Sequence, residues 1–193
     1  MVNVILLNNL DSFTYNLVDQ LRSNNHQVSV YSSQLPISVI MEALININNP
    51  ILILSPGPGI PKHSGCMMYL IKQLKGRIPI IGICLGYQAI IQLYGGHISQ
   101  STEIFHGRSS LIYHDQLGMF TDIPNPLLVA RYHSLIGIDI PNNLKINAYY
   151  NTKTAMSVRN DHDRICGFQF HPESILTAHG TQLINQTIKW TQI

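Results

Sequence analysis

A chain of 193 residues, 45% hydrophobic and only 11% charged, can bury a sizeable core and fits one domain. Its formal charge of +2, with no run of Lys or Arg, argues against a nucleic-acid surface. Cys66, Cys84 and Cys166 are odd in number and widely spaced, with no Cys-x-x-Cys, so neither a metal site nor a disulfide framework is expected. That usage suits a reducing cytoplasm. Neither a secretory leader nor a membrane span is expected.

Val2 to Leu7 is an apolar run of the kind a strand buried on both faces shows. Asn8, Asn9, Asp11 and Ser12 follow with helix-cap chemistry. Phe13, Leu17, Val18 and Leu21 then recur at helical spacing. Gln27 to Tyr31 reads as a second strand, Ile37 to Ile45 as a second helix, and Ile51 to Leu54 as a third strand. Cys66 to Leu74 suits a helix, and the apolar run through Pro79 to Ile83 a strand that feeds a helix from Tyr87 to Tyr94. The repeated strand–helix order predicts an α/β fold, a mostly parallel central sheet with helices on both faces.

After Gly95-Gly96 the rhythm changes to short alternating runs, such as Ser110 to Tyr113 and Leu127 to Ala130. These predict a smaller antiparallel extension of the sheet. Ile165 to Phe170 reads as a last buried strand and Thr181 to Trp190 as a last helix. Nothing marks a second domain within 1–193.

Chemistry concentrates at strand ends. Gly82-x-Cys84-x-Gly86 has the spacing of a strand–turn–helix nucleophile elbow, with thiol in place of hydroxyl. The free N–H groups and dipole of the following helix favour thiolate and can hold an oxyanion. Ser55-Pro56-Gly57-Pro58-Gly59 follows another strand, where parallel sheets bind ligands. No Gly-Lys-Ser/Thr follows it, so it is not a P-loop. Cys66 and Cys166 sit among apolar neighbours and read as packing.

An activated cysteine needs a base and a group that orients the base. The nine histidines are His26, His63, His97, His106, His114, His133, His162, His171 and His179. His171 stands out. It follows a buried strand and carries Glu173 two residues on, on the same side in extended geometry, with Pro172 stiffening the link. Cys84, His171 and Glu173 therefore form a candidate triad in which Glu173 holds the imidazole. By themselves these residues also permit a peptidase-like cysteine hydrolase, and the sheet alone permits a flavodoxin-like binding module.

The strings SPGPG, GICLGYQAI and FQFHPES, with NNLDSFTYN and RYHSL, resemble the class I glutamine amidotransferases over essentially the whole chain. Within that group DQLRSN, Phe105-His106-Gly107 and CGFQFHPESILTAHG most resemble the anthranilate synthase small subunits. The resemblance implies that Cys84 attacks the side-chain amide of L-glutamine, with His171 as base and Glu173 behind it. It maps glutamine binding onto Gly57, Pro58, Gly59, Gln88, Ser134 and Leu135, and the oxyanion hole onto backbone N–H groups of Leu85, Gly57 and Gly59. It implies no cofactor in this chain, Mg2+ on a partner, and as that partner the chorismate-binding large subunit (component I). The alternative is the para-aminobenzoate synthase large subunit as partner, or both partners at once. Two positions depart from the family pattern. Tyr87 stands where His is common, and is expected to touch glutamine or the partner. Asn8 stands where the family has Asp.

Overall fold

The apolar runs of the sequence lie side by side in one sheet. The computed structural model describes residues 1–101, 103 and 107–192, so the Phe105-His106 part of the resemblance lies outside the described residues. The first half alternates as expected: β1 (Asn3–Asn8), α1 (Thr14–Ser23), β2 (Gln27–Ser32), α2 (Ile37–Ile45), β3 (Pro50–Leu54), α3 (Met67–Leu74), β4 (Ile80–Ile83) and α4 (Leu85–Leu93). The second half is β5 (His97–Gln100), β6 (Arg108–His114), β7 (Leu127–Arg131), β8 (Leu135–Ile138), β9 (Lys145–Tyr150), β10 (Thr154–Asn160), β11 (Ile165–Phe168) and α5 (Gly180–Trp190).

The main sheet runs β2-β1-β3-β4-β11-β10-β9-β6-β7, and β5 pairs with β8 in a separate ribbon. From β2 through β11 every pairing is parallel. From β11 onward every pairing is antiparallel. Side chains of one strand alternate between faces, and the two cores follow that alternation. Val4 and Leu6 of β1 and Ile51 and Ile53 of β3 pack with α1 and α5. Ile5, Leu7, Leu52 and Leu54 pack on the other face with α2, α3 and α4. Burying each such side chain stabilises the fold by about 1.5–3 kcal/mol.

Two features position the site. The parallel strands β4 and β11 pair in register, Ile83 opposite Phe168, so their carboxyl ends finish together. Beyond Phe168 the chain leaves β4. His171 bridges instead to Ala130 at the end of β7, its N–H donating to the Ala130 carbonyl at 3.0 Å. That change of partner is why β11 ends at Phe168 and not at Phe170. The antiparallel half thus curls round until its last strand, β7, meets the segment after β11.

The elbow is tight. A Cβ on Gly82 would lie 2.5 Å from the carbonyl carbon and oxygen of Gly86, so only glycine lets α4 sit so close to β4. Cys84 takes φ 50°, ψ −98°, and the helix begins at Leu85, two residues earlier than its apolar pattern suggests. Gly82→Ala is therefore expected to cost about 1–3 kcal/mol through overpacking. A lower urea midpoint at unchanged m-value would show it.

Candidate active site

Cys84 is held from both sides. Its N–H donates to the Phe168 carbonyl at 2.8 Å, which carries the β4–β11 pairing up to the candidate nucleophile. Its carbonyl accepts from Gln88 N–H at 3.0 Å, the first bond of α4. A positive φ is strained for a residue with a side chain, and the flanking strand and helix over-determine it. Leu85, at the first helical position, has no intrahelical acceptor for its N–H.

His171 is 2% exposed, and its Nδ1 lies 2.7 Å from Glu173 Oε1. Burial opposes the imidazolium charge. The Cys84 thiol and the Glu173 carboxylate together outweigh it, so the pKa of His171 is raised above its ordinary value. Nε2 is the ring nitrogen that Glu173 leaves open, and Cys84 is the other side chain that supports the imidazolium. The ring is walled by Tyr132 at 5.0 Å and Phe13 at 5.7 Å between centroids, both edge-on. The loop beyond it is closed by Thr177, whose hydroxyl donates to the His171 carbonyl at 2.5 Å and accepts from Ala130 N–H at 2.9 Å.

A cavity of about 180 Å³ opens beside Cys84. Gly57, Pro58, Gly59, Gln88, Ser134 and Leu135, each picked from sequence, all line it. They arrive from three separate parts of the chain. The Gly57 backbone lies against Leu85, since a Cβ there would come within 2.7 Å of the Leu85 side chain. That loop is set by Asn9. Its N–H donates to Ser55 Oγ at 2.9 Å, its side-chain amide donates to the Ser55 carbonyl at 2.9 Å, and Ser55 Oγ donates to the Pro56 carbonyl at 2.6 Å.

Sequence reasoning missed Tyr132 and His133, which also line the cavity, and Gln169. The Gln169 amide points at Cys84 Sγ from 3.8 Å and accepts from the Gln88 amide at 3.4 Å. Its one sequence signal is its place inside FQFHPES, at the same strand end as His171. Of the nine histidines, only His133 and His171 come to this site among the described residues.

Tyr87 corrects an expectation. It touches neither the cavity nor the surface: it is fully buried in the core under α4, and its hydroxyl donates to the Ala155 carbonyl at 2.9 Å. Desolvation pushes its pKa far up, so it is a neutral core phenol. Asn8 has a local task. Its Oδ1 accepts from Asp11 N–H at 3.2 Å and from the Thr14 hydroxyl at 3.1 Å, fixing the turn into α1. Cys166 is buried and Cys66 half-buried among apolar side chains, and burial raises the pKa of both.

A thiol at a helix N-terminus, a buried His–carboxylate pair and a small adjoining cavity can carry out nucleophilic acyl transfer on a small substrate. The family model for glutamine amidotransferase class-I matches residues 5–190. The chain belongs to the class I glutamine amidotransferases. The anthranilate synthase component 2 of Buchnera aphidicola subsp. Acyrthosiphon pisum is 57% identical over 193 residues, covering 100% of this chain and 96% of that one. The protein of the same name from Haemophilus influenzae is 49% identical over 190 residues, covering 98% of each. A Thermotoga maritima glutamine amidotransferase structure superposes with a TM-score of 0.70 at 16% identity, covering 97% of this chain and 81% of that one, a likeness of fold alone.

The raised pKa of His171 has a sign that can be tested. Its charge stabilises the fold fully below the unfolded value of about 6.5, and this contribution is lost as pH rises through the higher folded value. Glu173→Gln removes the carboxylate that supports the charge. Between about pH 6 and about pH 9 the wild type should therefore lose more unfolding free energy than the variant, as read by urea titration at each pH.

Proposed function

We propose that the chain is the glutaminase subunit of an anthranilate synthase, generating ammonia from L-glutamine for the chorismate-binding large subunit. The observation that carries this reading is convergence. Six residues assigned to glutamine from sequence line one cavity beside Cys84, with the His171–Glu173 pair at the same sheet edge. Relatives named anthranilate synthase component 2, at 46–57% identity over nearly full length, support the choice of partner.

The geometry supports the following chemistry. Cys84 Sγ attacks the side-chain carbonyl carbon of glutamine, and His171 Nε2 accepts the thiol proton. The carbonyl oxygen becomes an oxyanion, held by the Leu85 N–H and the amides of the Gly57–Gly59 loop. One such donor is typically worth ~3 kcal/mol of barrier. His171 passes its proton to the amide nitrogen, the C–N bond breaks, and ammonia leaves a γ-glutamyl thioester on Cys84. Water then attacks the thioester, giving up a proton through His171, and glutamate departs as the thiol is restored. Glu173 stabilises the imidazolium at both stages. The raised pKa of His171 keeps the proton that leaves with ammonia in place beforehand.

Ammonia passes to component I without escape to bulk water. The loops around the triad suit a docking face: Ile175, just past Glu173, is 98% exposed, and Leu10 and Tyr15, flanking Phe13, are exposed as well. No cofactor is needed in this chain, and Mg2+ belongs with the partner. The setting is the cytoplasm, in tryptophan biosynthesis; no described helix is long and apolar enough to cross a membrane.

Cys84→Ser in the assembled complex is expected to lower glutamine-dependent anthranilate formation by ~1000-fold or more while ammonia-dependent formation persists. Parallel assays with a para-aminobenzoate synthase large subunit identify the partner. Glutamine use that survives the substitution would overturn the mechanism.

A further inference from the structure

We propose that Arg131 and His133 are positioning residues of the glutamine site: Arg131 fixes His133 in a single tautomer, and His133 in turn holds the Ser134–Leu135 backbone that walls the cavity. The inference deepens the glutaminase reading and rests on it.

Arg131 is 1% exposed, a rare burial for a guanidinium. It is moored to the curled half of the sheet. Its guanidinium lies over the Tyr150 ring of β9 at 4.1 Å and donates to Ser110 Oγ of β6 at 3.4 Å. Its Nε–H donates to His133 Nε2 at 3.1 Å.

That bond has one possible direction. A guanidinium nitrogen only donates, so His133 Nε2 must accept and carries no proton. The single proton of the neutral ring is then on Nδ1, which lies 2.9 Å from the Leu135 carbonyl oxygen. Nδ1–H donates to it. The hydrogen bonds therefore run one way, Arg131 to His133 to Leu135. Protonating Nε2 would set N–H against N–H beside a buried cation. Consistent with this, burial and then the Arg131 charge depress the His133 pKa to about 3.

The consequence falls on the substrate wall. A side chain bonded to the carbonyl two residues on fixes the bend through Ser134. The same bend is held from its other side by Ser101 N–H, which donates to the Ser134 carbonyl at 2.8 Å. Ser134 and Leu135 line the cavity through this bend, while both ring nitrogens of His133 are engaged, by Arg131 and by Leu135, and the base assigned to Cys84 is His171. Their influence should thus appear in glutamine binding and not in the chemical step.

Two measurements test this. In isotope-labelled wild-type protein at about pH 7, nitrogen–proton correlation spectra of the imidazoles should show His133 neutral with its proton on Nδ1. A proton on Nε2, or a protonated ring, overturns the proposal, and this readout needs no variant to fold. In the assembled enzyme, His133→Ala should raise KM for glutamine about tenfold, with kcat within about threefold. His133→Asn, whose amide nitrogen can replace Nδ1 as donor to Leu135, should recover most of that loss. A loss in kcat with KM unmoved, or equal losses in Ala and Asn, contradicts the positioning role. If the wild-type complex consumes no glutamine, the glutaminase reading fails separately, and the spectra still decide the tautomer.

Discussion

The structure depends on the parallel pairing of β4 with β11. Because Ile83 lies opposite Phe168, Cys84 after one strand and His171 after the other, the proposed nucleophile and base, emerge at the same sheet edge. The bond from Cys84 N–H to the Phe168 carbonyl extends that register to Cys84 itself. A slip of one residue would turn every side chain of β11 to the other face. The two cores on either side of the sheet make such a slip costly, since Ile165 and Phe168 are buried on opposite faces. Hydrophobic burial, with no chemical role of its own, thus sets the geometry of the proposed triad.

The second constraint is the change of partner after β11. His171 pairs with Ala130, and Arg131 to Leu135 follow directly, so the antiparallel half delivers one wall of the cavity to a centre built by the parallel half. Asn9 and Ser55, after β1 and β3, hold the Gly57–Gly59 loop that lines the same cavity. Strain and buried charge are tolerated here because the surroundings are rigid. Cys84 at positive φ is clamped between a strand and a helix, and the buried His171 is offset by a carboxylate at 2.7 Å. Each would be unfavourable alone.

Local pattern made much of this legible. Apolar runs, helical spacing and Gly-Pro punctuation marked the alternating first half, and α2 and β2 begin where the pattern places them. The geometry around the candidates Cys84, His171 and Glu173 was legible because an elbow glycine pair and an i, i+2 carboxylate are short-range signals. What escaped was long-range. Gln169 matters through Cys84, 85 positions away, and Asn9 through Ser55, 46 away. Arg131 and Ser110, 21 apart, meet because β6 and β7 pair antiparallel as neighbours. Tyr87 misled for a related reason: adjacency to the elbow suggested the substrate, while α4 turns that position into the core. Strand and helix ends shifted where backbone geometry, at Cys84 and after Phe168, overrode apolar pattern.

The central claim is that Cys84 forms a thioester with the side chain of glutamine. Rapid acid quench of the assembled complex turning over labelled glutamine, followed by peptide mass analysis, tests it most directly. The account predicts a γ-glutamyl adduct on the peptide that carries Cys84, lost again on alkaline hydrolysis. Steady turnover with no adduct there, or an adduct on Cys66 or Cys166, would contradict it.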